Sequence, residues 1–172
     1  MNNIMENIHN KTKGSIFRAP ERANKEQYSV FLAGSIDMGN AEDWQSQYEN
    51  EFKKYRINIY NPRRINFNNT EKQSINNPYF KEQVTWELEH LEKSECIIYH
   101  FANNSQSVIT LLELGKFSNF NNKKIFVYAQ EYFRLGNLEI FCDRYKLPLY
   151  NNEKNMLRDL HELFKLKTYS YL

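Results

Sequence analysis

The chain of 172 residues is long enough for one domain with a buried core, and its hydrophobic fraction of 41% fits a globular protein. The net charge of +2, with basic and acidic residues interspersed, gives no concentrated basic surface of the kind that binds nucleic acid polymers. No apolar run approaches the roughly 18 residues of a membrane-spanning helix, so the sequence does not predict a membrane protein.

Two cysteines, Cys96 and Cys142, lie far apart and lack the spacing of a disulfide framework or a zinc site. We expect both to be buried, in a reducing and therefore cytoplasmic compartment. Residues 1–27 have neither the apolar core of a signal peptide nor the acid-poor composition of a transit peptide. We predict a polar, loosely ordered arm over residues 1–27 and a single domain over residues 28–172.

The elements predicted along the chain alternate between strands and helices. In order, they are a strand at 28–33, a helix at 41–55, a strand at 56–60, a polar loop at 61–77, a helix at 78–93, a strand at 95–101, a helix at 107–120, a strand at 123–128, a helix at 137–145, a short strand at 147–150 and a helix at 153–164. This alternation predicts a doubly wound α/β domain with five parallel strands and helices on both faces. Ligands bind such sheets beyond the carboxyl ends of the strands, near the switch in strand order.

One carboxylate, Glu113, lies inside an otherwise apolar run. Apolar side chains of segment 107–117 fall all around the helix axis, so we expect this helix to be buried on most sides. Glu113 projects between Ile109 and Phe117, where it has little access to solvent. The alternatives are an ion pair with Lys116 or a position at the rim of the sheet.

The preceding helix places a second carboxylate, Glu87, at the edge of an apolar stripe. Its side chain projects about 20° from that of Phe80 around the helix axis. The stripe consists of Phe80, Val84, Leu88 and Leu91. Paired carboxylates suit glycosidic-bond chemistry, in which one ionised acid attacks or stabilises the anomeric carbon and a protonated one donates to the leaving group. Two unrelated acids at the rim of the sheet remain the alternative.

Small polar residues follow the first predicted strand and precede the helix of Glu113. The turn LAGSIDMGN contains Gly34, Ser35 and Asp37, and it matches neither the dinucleotide-binding nor the ATP-binding glycine pattern. It is either an ordinary strand–helix turn or a place where a ligand approaches the backbone. Ser105 and Ser107 either cap the next helix or hold an anion at its N-terminus.

Several further side chains leave two interpretations open. Arg63 and Arg64 are either solvated loop residues or a clamp for a ligand. Trp86 projects away from the apolar stripe and is a candidate to stack on a base. His90 and His100 have no partner at metal-ligand spacing, so no metal site is predicted.

The ordered segments FLAGSID with a following Trp44, NPRR, EQVTWELEHLEKSECIIYHF and SVITLLELG resemble the nucleoside 2-deoxyribosyltransferase-like family over residues 28–130. The resemblance implies a flavodoxin-like or Rossmann-like domain and an enzyme that transfers 2′-deoxyribose between bases, or a related nucleotide N-glycosidase. It implies a nucleoside or nucleotide and a free nucleobase as partners, no metal or cofactor, and a homodimer or larger homo-oligomer.

The resemblance also implies a role for each carboxylate. Glu113, in the segment ELG, would be the nucleophile, and Glu87, eight positions before Glu95, would donate a proton to the base. The family usually has aspartate where this chain has Glu87. The tyrosine that orients the family's nucleophile corresponds to Phe31, which lacks a hydroxyl group, and Tyr99 on the adjacent strand is the candidate replacement.

Other residues of the site follow from the same resemblance. Those implied to line the substrate are Gly34, Ser35 and Asp37 at the sugar or 5′ side and Gln83 or Trp86 at the base side. Gly115 would let the helix pack closely behind the nucleophile. Because Phe31 and Glu87 depart from the family pattern, a non-catalytic nucleotide-sensing module with the same fold is the second hypothesis.

Overall fold

A computed structural model describes residues 14–23, 27–36, 42–65 and 72–169 of the protein. The strands within these residues are β1 (Ser15–Arg18), β2 (Ser29–Gly34), β3 (Asn58–Asn61), β4 (Cys96–Phe101), β5 (Lys124–Ala129) and β6 (Leu149–Tyr150). The helices within them are α1 (Trp44–Phe52), α2 (Pro78–Lys93), α3 (Val108–Phe117), α4 (Leu135–Tyr145) and α5 (Glu153–Tyr169). Asp37, predicted at the sugar or 5′ side, lies outside the described residues.

All strand pairs are parallel, in the order β1-β3-β2-β4-β5-β6. The doubly wound α/β class is therefore confirmed, although the described sheet has six strands rather than the predicted five. The additional strand is β1, which lies in the segment predicted to be a loosely ordered arm. Its four residues, SIFR, are too few for an alternating pattern to be recognised, and they are ordered by pairing with β3.

Two layers of helices cover the sheet, because successive side chains of a strand project to opposite faces. On one face, α2, α3 and α4 pack against a set of strand residues that includes Phe31, Ala33, Ile97, Tyr99, Phe101 and Val127. On the other face, α1 and α5 pack against Val30, Leu32, Ile59, Cys96 and Ile98. This double coverage explains why β2 and β4 are nearly continuous apolar runs rather than alternating ones.

The strand order reverses beside β2, which has β3 on one side and β4 on the other. The carboxyl ends of β2 and β4 therefore meet at the switch point, where ligands of doubly wound sheets bind. Gly34 ends β2 opposite His100. A Cβ atom at Gly34 would clash with the His100 carbonyl oxygen and lie 2.7 Å from the Trp44 ring, so close packing requires glycine here.

Helix α2 begins as predicted at Pro78, where the Asn77 side chain accepts hydrogen bonds from the first free amides. Its buried face differs from the predicted stripe. The fully buried residues are Gln83, Trp86, His90 and Leu91, whereas Leu88 is 40% exposed. Hydropathy periodicity missed this face, because its aromatic and polar side chains are buried with their hydrogen bonds satisfied inside the protein.

Helix α3 is less buried than its composition predicts. Only Thr110, Leu114 and Phe117 among its described side chains are fully buried. Val108, Ile109 and Leu112 are 61%, 60% and 70% exposed, so the prediction of a helix buried on most sides was wrong. Among the described residues, the helix packs against one face of the sheet, and its outer side is exposed.

The cysteines follow the prediction, since Cys96 and Cys142 are both free and buried. Cys96 begins β4 beneath α5, and Cys142 lies on α4 on the other side of the sheet. Among the residues that the structure describes, no helix is both long enough and apolar enough to pass through a bilayer.

Candidate active site

Glu87 on α2 and Glu113 on α3 lie on neighbouring helices over the same face of the sheet. Both side chains are partly buried, and the charge of Glu87 acts on the carboxyl group of Glu113. The predicted alternative of an ion pair between Glu113 and Lys116 is not found. The Lys116 ammonium lies 2.9 Å from the carboxylate of Glu92 on α2. The two helices therefore place the carboxyl groups close enough for their charges to interact, and a pocket shared by the two stays a prediction.

Burial sets the protonation of this pair. It raises the pKa of Glu87 to about 7, against the opposing effects of a hydrogen bond from Gln83 and the positive charge of Arg64. Burial and, second to it, the negative charge of Glu87 together raise the pKa of Glu113 to about 8. Because the two groups interact, they titrate as a unit, and near neutral pH the pair holds one proton. One ionised and one protonated carboxyl group is the state that glycosidic-bond chemistry uses.

A tyrosine hydroxyl lies near Glu113, although the strand position that the family uses is phenylalanine. Phe31 is 1% exposed and packs against Trp86, with ring centroids 6.2 Å apart. Tyr99 lies on the neighbouring strand, on the same face of the sheet. Burial raises the pKa of the Tyr99 hydroxyl, and the charge of Glu113 raises it further. Within the described part of the chain, this hydroxyl is buried without a hydrogen-bond partner.

The Glu87 carboxyl group is held by a neighbour on its own helix. Gln83, one turn earlier, donates through Nε2 to Glu87 Oε1 at 2.7 Å and to the Pro62 carbonyl oxygen at 2.8 Å. The Gln83 oxygen accepts a short hydrogen bond from Arg64 Nε. With both amide hydrogens used inside the protein, Gln83 has no free donor for a base. The implied base-side contact of Gln83 is therefore not supported.

The two adjacent arginines diverge. Arg63 reaches the start of α1, where its Nε lies 3.2 Å from Gln45 Oε1 and 3.4 Å from the carboxylate of Asp43. Arg64 turns to α2, where its guanidinium stacks 4.2 Å from the Tyr79 ring centroid. Of the two arginines, the structure thus places Arg64 near Glu87, whereas Arg63 contacts α1. Sequence reasoning could not separate them, because successive residues of an extended chain project in opposite directions.

Trp86 does not project freely from α2, so the prediction of a base-stacking side chain is corrected. The indole is 2% exposed, its ring stacks on His90 at 4.1 Å, and its Nε1 donates to the Glu21 carbonyl oxygen at 2.7 Å. The ring packs in the core with Phe31 and Tyr60. The sequence made Trp86 a candidate to stack on a base because it lies off the apolar stripe. The face that α2 buries is a different one, and it includes Trp86.

Three serine hydroxyls gather where β2 and β4 end and α3 begins. The oxygen of Ser107 lies 2.6 Å from that of Ser35 and 2.8 Å from that of Ser105. Ser35 also accepts from the Ala102 amide at 3.0 Å. The Ser107 side chain forms no capping hydrogen bond with α3, so the capping alternative is not what the structure shows for this residue. The cluster is instead a buried group of hydroxyls at a helix N-terminus.

Surface cavities of about 440 and 320 Å³ lie elsewhere. The first is lined by Pro20, Arg22, Pro78, Lys81, Glu82, Thr85 and Trp86. The second lies between α3 and α4 and is lined by Leu111, Leu114, Gly115, Arg134, Asn137, Leu138 and Phe141. Neither cavity is lined by Glu87 or Glu113. The candidate site is therefore identified by its two interacting carboxyl groups and not by a cavity. No group of three or more His, Cys, Asp or Glu in the described ranges is arranged to hold a metal ion.

The structure also corrects the predicted role of Gly115. A Cβ atom at Gly115 would have no atom within 4 Å, so the glycine does not serve a close approach behind Glu113.

Comparison with protein families matches residues 27–133 to the family described as nucleoside 2-deoxyribosyltransferase like. The matched segment runs from the start of β2 past the end of β5, and it contains both carboxylates, the serine cluster and the Arg64–Gln83 contact. No curated protein matches the chain significantly. Because the family match covers more than half of the chain and the site lies within it, the chain belongs to the nucleoside 2-deoxyribosyltransferase-like family.

Proposed function

We propose that the protein cleaves the N-glycosidic bond of 2′-deoxyribonucleosides and transfers the deoxyribose to a second nucleobase. The observation that carries the proposal is the charge interaction of two partly buried carboxyl groups, Glu87 and Glu113, on adjacent helices. The family supports a nucleoside as the substrate. The elevated pKa values of the pair support one acid and one carboxylate at neutral pH.

The reaction divides into two displacements at C1′ of the sugar. In the first, a Glu113 carboxylate oxygen bonds to C1′, the C1′–N bond breaks, and the departing base takes its proton from Glu87. In the second, a nitrogen of the incoming base attacks C1′ and loses its proton to Glu87, and Glu113 leaves as a carboxylate. The enzyme returns to its starting protonation after each cycle.

This cycle requires that Glu113 be ionised while Glu87 holds the proton. Without substrate the proton lies on Glu113, whose pKa of about 8 exceeds the value of about 7 for Glu87, because Gln83 and Arg64 both favour the ionised form of Glu87. A hydrogen bond from the Tyr99 hydroxyl would favour the ionised form of Glu113. We therefore assign Tyr99 the orienting role that the residue at Phe31 cannot fill. Binding of a base beside Glu87 would further favour its protonated form.

A second candidate is hydrolysis of nucleoside 5′-monophosphates. The cluster of Ser35, Ser105 and Ser107 supports it, because hydroxyls at the N-terminus of α3 suit a phosphate group. In that reaction, water replaces the incoming base in the second displacement and the products are a free base and a deoxyribose 5-phosphate.

Product analysis separates the candidates. The protein is incubated with deoxyinosine and free adenine, and the products are resolved by chromatography. Deoxyadenosine without free deoxyribose is the expected result for transfer. Turnover of 5′-monophosphates to sugar phosphate would favour the hydrolase instead. If a panel of nucleosides and 5′-monophosphates is not consumed but raises the melting temperature, the protein is a nucleotide-sensing module and both enzymatic candidates are wrong.

The variant Glu113→Gln tests the nucleophile directly. Its turnover should fall by about 1,000-fold or more, because an amide cannot form the glycosyl ester. The matched control is Glu92→Gln, which neutralises an exposed carboxylate on α2 that contacts α3 through Lys116. Turnover in the control should be unchanged. Wild-type turnover in Glu113→Gln would refute the assignment of the nucleophile.

A further inference from the structure

Gln83 links a buried arginine to the proton donor of the proposed site. Its amide donates to Glu87 Oε1 and to the Pro62 carbonyl oxygen, and its oxygen accepts from Arg64 Nε. The Gln83 residue is 7% exposed, and the Arg64 side chain is 8% exposed. The side chain of Gln83 thus has one orientation that satisfies all three partners.

We infer that Arg64 and Gln83 form a positioning pair that fixes the orientation of the Glu87 carboxyl group for proton transfer, an inference that rests on the proposed function. Arg64 is itself fixed by the ring of Tyr79 at 4.2 Å and by the carboxylate of Glu82 at 2.7 Å. Arg64 Nε carries a single hydrogen, and because the planar fork is anchored on both sides, that hydrogen points at Gln83. That contact orients the amide so that its nitrogen, rather than its oxygen, faces Glu87.

The length of the Glu87 side chain explains why a positioning pair such as Arg64 and Gln83 is needed. A glutamate has one more rotatable bond than an aspartate and loses more conformational entropy when its carboxyl group is held in one place. The bond from Gln83, one turn earlier on the same helix, removes that freedom without using substrate contacts. Proton transfer to a departing base depends on this geometry, since the donor must lie within hydrogen-bond reach of the base.

A second arginine–glutamine pair, Arg63 and Gln45, joins the same segment to α1 and does not continue to a carboxyl group of the site. Arg63 Nε donates to the oxygen of buried Gln45 at 3.2 Å, and the Gln45 nitrogen has no hydrogen-bond partner among the described residues. Both pairs attach the segment after β3 to a helix, but only Gln83 continues to an acid. The Arg63–Gln45 pair is therefore a control for the purely structural effect of such a contact.

The experiment measures the titration of Glu87 by carbon-13 NMR of the glutamate side-chain carboxyls, assigned with Glu87→Gln. The charges that act on this carboxyl pair are Arg64, from the segment after β3, which acts on Glu87, and Glu87 itself, which acts on Glu113 on α3. In Gln83→Met the midpoint should move up by about one pH unit, because a hydrogen bond that favours the ionised form is lost. Arg64→Lys should produce a smaller upward shift, because the charge remains and the Nε contact is lost. Gln45→Met should leave the midpoint unchanged.

Turnover provides a second measurement. In Gln83→Met, kcat should fall about tenfold or more while KM changes little, because proton transfer depends on the orientation of the donor. The inference is overturned if folded Gln83→Met titrates like the wild type. It is also overturned if Gln45→Met shifts the Glu87 midpoint equally. If Gln83→Met does not fold, the titration is measured in Arg64→Lys instead. A Glu87 midpoint in Arg64→Lys equal to that of the wild type overturns the inference. The NMR measurement needs no substrate, so it gives its answer even if the proposed activity is not found.

Discussion

The Tyr99 hydroxyl lies near the Glu113 carboxyl group, and it has no hydrogen-bond partner among the described residues. Tyr99 is held by β4, whose register places it opposite Ala33 on β2. Phe31, two residues before Ala33, projects to the same face. A buried hydroxyl without a partner costs free energy, and this cost motivates the proposal that Tyr99 is used in the site.

Tyr99→Phe should lower kcat by about tenfold to 100-fold, because the proposed mechanism has the Tyr99 hydroxyl donate to ionised Glu113 when substrate is bound. The acidic limb of the kcat/KM profile should move to higher pH for the same reason. A control is Tyr48→Phe, which removes a buried hydroxyl bonded to Glu153 on the other face of the sheet. Equal pH profiles for Tyr99→Phe and the wild type would contradict the role of Tyr99.

Stability should depend on pH through the carboxylate pair. The folded-state pKa values of Glu87 and Glu113 lie at about 7 and about 8, above their ordinary value of 4.5. At pH values between the ordinary pKa and the folded-state pKa values, the folded protein binds more protons than the unfolded chain. The free energy of unfolding therefore falls as the pH rises through this range. At about pH 8.5, Glu113→Gln should be more stable than the wild type by about 2 kcal/mol. Urea unfolding at about pH 5.5 and 8.5 measures this, and a wild-type pH dependence in Glu113→Gln would contradict it.

The serine cluster should discriminate nucleotides from nucleosides if it binds a 5′-phosphate. Ser107→Ala should then raise KM for 5′-monophosphates about tenfold and leave KM for nucleosides nearly unchanged, because one hydrogen bond to a charged group is lost. Ser118→Ala, at the other end of α3, serves as the control, since its hydroxyl bonds only the Gly115 carbonyl oxygen in the described structure. A uniform effect on both substrate classes would indicate a structural role for the cluster.

Two glycines of the site region should respond in opposite ways to alanine. Gly34→Ala should lower the free energy of unfolding by about 2 kcal/mol or more, because the added Cβ meets the His100 backbone and the Trp44 ring. Gly115→Ala should raise it by about 0.5 to 1 kcal/mol, because the position is helical and open. Denaturant unfolding of both variants measures the difference, and a destabilised Gly115→Ala would show that the glycine has a packing role after all.

The strand and helix predictions were confirmed where the hydropathy pattern and the capping or turn residues indicate the same element. Asn77-Pro78 marked the start of α2 because a cap and a proline act on adjacent amides. The pattern failed at β1, whose four residues are ordered by pairing with β3, a partner about 40 residues distant. The hydropathy pattern also predicted that Leu88 lies on the buried face of α2. The face that α2 buries instead carries Gln83, Trp86 and His90, which are not recognised by hydropathy.

Within the site, the sequence identified both carboxylates but not what holds them. Glu113 was conspicuous as an acid in an apolar run, and Glu87 as an acid at a stripe's edge. Nothing local separated Arg63 from Arg64, since the choice depends on which helix each side chain meets. Likewise, the sequence offered Trp86 as a candidate to stack on a base, because its hydrogen bond to the Glu21 carbonyl oxygen joins segments far apart in sequence and has no local signal.

The alternation of strands and helices and the doubly wound class followed from local sequence patterns, and the same patterns singled out Glu87 and Glu113 as candidates, because each pattern depends on residues within one or two turns. Only the tertiary structure decided that Gln83 and Arg64 hold Glu87 and that Tyr99 lies near Glu113. It also decided the elevated pKa values of both acids, because burial and charge interactions between helices exist only once α2 and α3 lie side by side on the sheet.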